Sequence, residues 1–150
     1  MRFDEAVGHY RNQKQAFSNP ASWPQIDIRI ENTHNIMTVK SWYKYKGESD
    51  PYNHIQYDWQ QLDENIVYTK TTNLITNRPS CPFIWQYDGV WWNGCTDGEC
   101  LQGNTRIEST IRFNGVDYRA KDVGYDITTG KQVYGKDPAD GEFLFVLIDK

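Results

Sequence analysis

From Ile26 onward, the sequence alternates apolar and polar side chains in short segments that turn residues separate. The alternation is clearest between His54 and Gln61, and a period of two residues is typical of a β-strand that buries one face. The segments that this pattern predicts as strands are Ile26–Ile30, Asn35–Tyr45, His54–Gln61, Ile66–Thr71, Phe83–Tyr87, Val90–Trp92, Arg106–Phe113, Val116–Ala120 and Glu142–Ile148.

Tight turns connect the predicted strands. Asp88-Gly89 and Asn114-Gly115 are typical of hairpins, and Thr129-Gly130 marks another turn. About eight to ten short strands at this spacing predict an all-β sandwich or an antiparallel up-and-down β-barrel, and periodicity does not decide between them. A closed barrel removes edge strands, and at about eight strands its interior holds one small ligand. The length predicts a single domain, residues 1–150.

The residues before the first strand have a different period. Phe3, Val7, Tyr10 and Phe17 recur at helical spacing, which predicts one short N-terminal helix. This helix should end just before Pro20, because proline disfavours the helical conformation in the residue that precedes it.

Charge and hydropathy exclude several classes of protein. The net charge is −4 at pH 7 and the Lys and Arg residues are scattered, so the basic patch of a nucleic-acid-binding protein is absent from the sequence. The mean hydropathy of −0.78 and the lack of a long apolar run exclude a membrane protein. Residues 1–5 turn acidic at once and have no apolar stretch, so we expect no secretory signal and a cytoplasmic protein.

The three cysteines are Cys81, Cys95 and Cys100. An odd number of cysteines without a secretory signal favours reduced thiols, although Cys95 and Cys100 could close a small loop on oxidation. The three histidines lie far from the cysteines in the sequence, and we expect no metal site.

Aromatic residues make up 15% of this polar chain, including six Trp and ten Tyr. As a group they exceed what a core of this size requires, and flat amphipathic side chains suit a large conjugated ligand. Packing in the core or barrel wall remains the alternative for each of them. The aromatic residues concerned are Trp42, Tyr43, Tyr45, Tyr52, Tyr57, Trp59, Trp85, Tyr87, Trp91 and Trp92.

Two carboxylates, Asp122 and Asp126, lie in a short segment that contains Gly124. They belong either to a solvated loop or to a cavity in which a carboxylate accepts hydrogen bonds from ligand N–H groups. A carboxylate with several such donors stays ionised and favours a protonated, cationic ligand. The sequence contains no nucleophile elbow, phosphate-binding loop or dinucleotide-binding signature.

Several stretches together resemble the T-type phycobiliprotein lyases (CpcT/CpeT). Residues 12–26 resemble the family's Asn-x-x-Gln-Ala … Pro … Ile opening, and residues 50–52 resemble its Pro-Tyr-Arg motif. Residues 81–100 are similar to its Gly-Cys … Gly … Cys segment. Residues 121–145 resemble Asp-Arg-Gly-x-Asp … Thr-x-x-x-x-Trp-Gly … Gly-x-x-x-Phe, and this is the strongest of the matches.

This resemblance implies a lipocalin-like (calycin) antiparallel barrel that binds a phycobilin, either phycoerythrobilin or phycocyanobilin, as its ligand and has no permanent cofactor. It also implies an activity, which is to assist thioether attachment of the bilin to a cysteine of an apo-phycobiliprotein β subunit. The lyase would orient and protect the pigment, and the acceptor cysteine would belong to the partner. A homodimer is consistent with the same resemblance.

The resemblance also implies roles for individual residues. Asp122 and Asp126 are the candidates for catalysis, because they would pair with the pyrrole nitrogens. The predicted ligand-binding residues are Tyr52, Asn53, Trp59, Trp85, Cys100, Tyr125 and Arg119.

The sequence departs from the family pattern at three positions. Asn53 and Val123 each replace an arginine of a motif, and Tyr134 replaces a tryptophan. The loss of two cations should weaken binding of the bilin carboxylates or move it to residues such as Arg112, Arg119 or Lys121. A second hypothesis is therefore a bilin carrier that does not direct attachment.

A third hypothesis, from a different class, is an unrelated β-sandwich that binds carbohydrate. Its sugar-binding face would be an exposed pair of adjacent tryptophans, Trp91 and Trp92.

Overall fold

A computed structural model describes the backbone of residues 1–150 and every side chain except that of Pro138. The described residues form twelve strands, one short α-helix and two 3₁₀ turns, at Phe3–Ala6 and Pro138–Asp140. The helix α1 spans Gln13–Ser18. The strands are β1 Gly8–Arg11, β2 Ile26–Thr33, β3 Ile36–Tyr43, β4 Asn53–Asp63, β5 Ile66–Asn73, β6 Arg78–Tyr87, β7 Trp92–Thr96, β8 Cys100–Gln102, β9 Thr105–Phe113, β10 Asp117–Asp126, β11 Gln132–Gly135 and β12 Phe143–Asp149. Among the residues that the structure describes, no helix is long and apolar enough to cross a membrane.

Ten of the described strands close into an antiparallel barrel. Its wall runs from β1 through β7 to β9, then through β10 and β12 back to β1. The short strands β8 and β11 extend this wall, because β8 pairs with β9 beyond β7 and β11 pairs with β10 beyond β12. The predicted barrel is therefore confirmed and the sandwich is excluded. The turns predicted at Asp88-Gly89, Asn114-Gly115 and Thr129-Gly130 form as well, each with its glycine at positive φ.

The single N-terminal helix predicted for this chain is wrong. Residues Gly8–Arg11 form β1, which pairs with β12 on one side and β2 on the other, and the only α-helical part that the structure describes here is α1. Phe3, Ala6 and Tyr10 are all fully buried. The 3₁₀ turn followed by a strand directs these residues into the barrel as well as a helix would, and it also closes the barrel wall.

The outward side chains of β1 provide a second reason for the strand. Arg11 donates two hydrogen bonds of 2.9 Å to the carboxylate of Asp27 on β2, and His9 Nε2 lies 2.8 Å from the same carboxylate. Asp27 is buried although it faces outward, so its charge requires these partners. In the strand conformation Arg11 lies opposite Asp27, and His9, two residues before it, lies on the same outward face within reach of that carboxylate.

Aromatic side chains fill the barrel end that the N-terminal segment closes. The ring of Phe3 packs edge-to-face against Trp85, Trp92 and Phe113, with centroid distances of 5.1–5.5 Å. The indole N–H of Trp85 donates to Thr69 Oγ1 at 3.1 Å, so its one polar atom is satisfied inside the core. Most of the aromatic surplus is therefore core packing. Trp92 is 1% exposed, and the prediction of an exposed Trp91–Trp92 pair is wrong.

The close approach of Gly94 to Trp85 predicts a cost for any side chain at this position. A Cβ atom on Gly94 would overlap the buried indole ring, which has no free space to move into. We expect Gly94→Ala to lower the free energy of unfolding by about 1–3 kcal/mol, measured by urea denaturation. In a Trp85→Phe background the same substitution should cost less, because the smaller ring relieves the overlap. An equal cost in both backgrounds would contradict this explanation.

The cysteines differ from their expected state. Cys81 and Cys100 form a disulfide with a Cα–Cα distance of 5.7 Å, so the prediction of reduced thiols is wrong. These residues are 19 positions apart in the sequence, and the barrel brings them together because β8 continues the line of β7 beside β6. Cys95 lies on the outward face of β7 and is exposed, so it does not pair with Cys100.

Candidate ligand-binding site

The open end of the barrel contains a cavity of about 490 Å³. This volume lies within the range of small-molecule sites, about 300–1,000 Å³. Its walls combine apolar side chains with hydroxyl and amide groups. The lining residues are Val39, Ser41, Asn53, Ile55, Tyr57, Thr71, Asn73, Ser80, Cys81, Phe83, Thr96, Cys100, Gln102, Thr105, Ile107, Ser109, Ile111, Tyr118, Asp122, Val133 and Tyr134.

Asp122 is the carboxylate of this cavity. It lies on β10 opposite Ser109 of β9, and the Ser109 hydroxyl hydrogen-bonds to it. The side chain is exposed to the open cavity, and the barrel walls flank it. Desolvation by these walls raises the pKa of Asp122, and the Ser109 hydrogen bond offsets only part of that effect. A ligand that donates hydrogen bonds to this carboxylate would therefore replace solvation that the barrel removes.

The raised pKa predicts that Asp122 destabilises the ligand-free barrel at neutral pH. The folded state holds the proton more tightly than the unfolded chain, whose carboxyl has the ordinary value of 3.8. The penalty is absent below that value and complete above the raised pKa of the folded state. We expect Asp122→Asn to increase the free energy of unfolding at about pH 7 and to leave it nearly unchanged at about pH 4. Urea denaturation at the two pH values measures this, and destabilisation at neutral pH would contradict it.

Two tyrosines form the floor of the cavity. The ring of Tyr57 packs against Phe83 and Trp85, and the ring of Tyr118 packs against Phe113 and Phe145. Burial raises the pKa of both hydroxyl groups, and the nearby charge of Asp122 raises it further. Both phenols are therefore protonated hydrogen-bond donors at neutral pH.

Stacked tyrosines lie at the mouth of the cavity. Tyr43 stacks on Tyr52 with a centroid distance of 4.5 Å and on Tyr45 with one of 5.7 Å. Tyr45 is 79% exposed, so the stack extends from the barrel into solvent. Tyr52 is 45% exposed, and its backbone N–H donates to the carbonyl of Ser41, a lining residue, which places it beside the cavity.

Arginines do not take part in this site. Among the lining residues that the structure describes, none is Lys or Arg. Arg112 and Arg119 lie on the outer wall, with their guanidinium carbons 4.6 and 5.3 Å from the ring centroid of Trp91. Arg112 also makes a bidentate pair with Glu142. The charge of the lining is therefore that of Asp122.

The structure brings together only part of the predicted site. Asp122, Asn53 and Cys100 line the cavity, the last through its disulfide with Cys81. Tyr52 lies beside it in the tyrosine stack. Tyr52 and Asn53 are consecutive at the start of β4, and Cys100 and Asp122 come from β8 and β10.

The other predicted residues lie elsewhere. Trp85 is in the core, and Trp59 lies at the closed end, where its indole N–H donates to Asn32. Tyr125 faces outward beneath Arg106, and Arg119 faces outward over Trp91. Asp126 caps a turn and accepts hydrogen bonds from the backbone N–H groups of residues 128 and 129, which lower its pKa.

Sequence reasoning missed several lining residues that carry hydroxyl groups, among them Tyr118, Thr71 and Ser109. Tyr118 lies four positions before Asp122 on the same strand, so alternation places it on the same inward face. Thr71 and Ser109 face inward on their own strands in the same way. The alternation of side chains along each strand indicates which residues face inward, but it does not show which inward positions border a cavity.

Solved structures with this fold include two proteins. The T-type phycobiliprotein lyase CpeT from Prochlorococcus phage P-HM1 aligns with a TM-score of 0.73 and 23% identity, over 96% of this chain and 93% of that chain. The CRL protein of Arabidopsis aligns with a TM-score of 0.72 and 11% identity, over 95% of this chain and 93% of that chain. No protein-family model and no curated protein matches the sequence. The resemblance to the T-type lyases is thus confirmed in the fold.

Proposed function

We propose, from the fold shared with a T-type phycobiliprotein lyase, that this chain binds a bilin in its barrel. We further propose that it assists thioether attachment of the bilin to a cysteine of an apo-phycobiliprotein β subunit. The ligand would be phycoerythrobilin or phycocyanobilin. The fold supports the class of ligand, and the cavity supports the manner of binding.

The observation that carries this proposal is a single carboxylate, Asp122, that opens into a cavity whose described lining contains no cation. Pyrrole N–H groups would donate hydrogen bonds to it, and its charge would favour the protonated, cationic form of the chromophore. Tyr52 and Tyr134 at the mouth would contact the flat conjugated system.

The attachment step needs little chemistry from the barrel. The partner's thiol adds across the ethylidene double bond of the bilin, so that a C–S bond forms and the thiol proton passes to the conjugated system. No oxidant or reductant is required. The barrel would hold the pigment in one conformation and keep water and stray thiols away from it.

A second candidate is a bilin carrier that releases its pigment without directing attachment. The absence of a lining cation among the described residues favours it, because no positive charge in the cavity would fix the propionates in one orientation. Both candidate functions require the same cavity, and they differ only in whether the protein directs attachment of the bilin to the partner's cysteine.

The test is a titration of the protein with phycoerythrobilin, followed by absorbance and fluorescence. We expect a saturable, red-shifted and sharpened band, and then transfer to an apo-β subunit at one cysteine. Binding followed by attachment no faster or more specific than the spontaneous reaction would favour the carrier. A spectrum that remains that of free pigment would overturn both candidates.

A further inference from the structure

Three hydroxyl groups at the cavity floor lack a partner. Thr71 Oγ1 is buried without a hydrogen bond, although Thr71 lines the cavity. The hydroxyls of Tyr57 and Tyr118 also have no hydrogen-bond partner among the described residues, and they open into the cavity although the two residues are only 5% and 4% exposed. Buried polar groups normally find partners, so these groups point to a ligand that carries hydrogen-bond acceptors.

The charge of the lining restricts which part of a ligand can enter. Asp122 is the one ionised side chain among the described lining residues, and no cation balances it. A ligand carboxylate at this depth would be desolvated, unpaired and repelled by Asp122. The end that enters must therefore be neutral or cationic.

These observations deepen the proposed function and rest on it. We infer that the bilin enters by one terminal lactam ring, whose carbonyl oxygen accepts hydrogen bonds from Tyr57 and Tyr118, while both propionates stay at the mouth. A bilin suits this arrangement, because each of its ends is an uncharged lactam and its carboxylates are carried by the two middle rings.

The order of groups along the barrel agrees with the order along the ligand. Tyr118 lies deepest on β10, Asp122 follows four residues nearer the mouth, and Tyr134 lies on the adjoining strand at the rim. The lactam oxygen would meet the tyrosines, and the pyrrole N–H groups would meet Asp122. Because burial raises the pKa of both phenols, they remain donors throughout the neutral range.

The experiment compares phycoerythrobilin with its dimethyl ester, using wild type, Tyr57→Phe and Tyr118→Phe. Each substitution keeps the ring and removes only the hydroxyl, so far-ultraviolet circular dichroism should be unchanged. We expect each to raise the Kd of phycoerythrobilin about 2- to 13-fold, the equivalent of one hydrogen bond. The ester should bind wild type with a Kd within about threefold of the acid, because its carboxyl groups stay in solvent.

The matched control is Tyr68→Phe, which removes a hydroxyl from the outward face of β5 between the buried residues Val67 and Thr69. It should bind as wild type does. Two outcomes overturn the inference while the proposed function stands. One is that wild type binds phycoerythrobilin and both cavity variants bind it with the wild-type Kd. The other is that the ester binds wild type more than about tenfold more weakly than the acid. If wild type binds neither pigment, the proposed function fails and the inference fails with it.

Discussion

Replacing Asp122 with asparagine is expected to weaken bilin binding by about 10- to 150-fold, the range for loss of hydrogen bonds to a charged group. The amide cannot hold the negative charge that stabilises a protonated chromophore, and it offers one acceptor oxygen where the carboxylate offers two. The red-shifted band should weaken or disappear at saturating pigment. Titration of wild type and variant with phycoerythrobilin gives both Kd values and spectra.

The matched control for this substitution is Asp58→Asn. Asp58 faces outward on β4 next to the inward Tyr57, and it accepts a hydrogen bond from Gln56. The control should bind pigment as wild type does. If Asp122→Asn binds within about twofold of wild type, Asp122 is not the group that meets the pyrrole nitrogens.

A comparison with Asp126→Asn separates the two carboxylates that the sequence singled out. Asp126 belongs to a turn and does not line the cavity. Asp126→Asn should destabilise this turn and change the Kd of phycoerythrobilin far less than Asp122→Asn does. An equal loss of binding in the two variants would support the sequence prediction that both residues bind the pigment.

Removal of the Trp85 side chain is expected to lower the free energy of unfolding by about 3–5 kcal/mol. Trp85 is 2% exposed, contacts the rings of Phe3, Tyr57 and Phe113, and donates its indole N–H to Thr69. Alanine would leave a cavity in the closed end, and the Thr69 hydroxyl would keep only its 3.4 Å hydrogen bond to the Phe83 carbonyl. Urea denaturation of Trp85→Ala followed by fluorescence or circular dichroism measures the loss.

Trp91→Ala is the control for this prediction. Trp91 lies on the outer wall between two arginines, and its loss should cost about 1–2 kcal/mol through the cation–π contacts. A loss for Trp85→Ala that does not exceed that of Trp91→Ala would show that the closed aromatic end contributes little to the stability of the barrel.

The structure also explains which sequence predictions succeed. The strands and hairpin turns depend on neighbouring residues, since alternation and Asp-Gly or Asn-Gly pairs act over a few positions. The N-terminal helix failed because the 3₁₀ turn and β1 bury Phe3 and Tyr10 as a helix would, whereas Phe17, at the same helical spacing, is 67% exposed. The choice between them depends on β12, which comes from the other end of the chain.

In the candidate site, too, neighbouring residues determine some features and distant parts of the chain determine others. The sequence predicted this strand only as far as Ala120, whereas β10 extends to Asp126 and its alternation puts Asp122 and Tyr118 on one face. The resemblance to the T-type lyases selected both Asp122 and Asp126. Neither could separate Asp122 from Asp126, which has the same inward parity but turns to cap backbone N–H groups. Nor could either pair Cys81 with Cys100 or assign Trp59 and Trp85 to the closed end.

The sequence by itself determined the all-β class, the positions of most strands and turns, and the inward faces of the strands it predicted, because these follow from short-range geometry. Only the tertiary structure decided that ten strands close, that aromatic side chains fill one end, and that Asp122 faces an open cavity beside unpartnered hydroxyls. Those properties depend on which strands become neighbours, and pairing between distant parts of the chain sets the depth of every inward side chain.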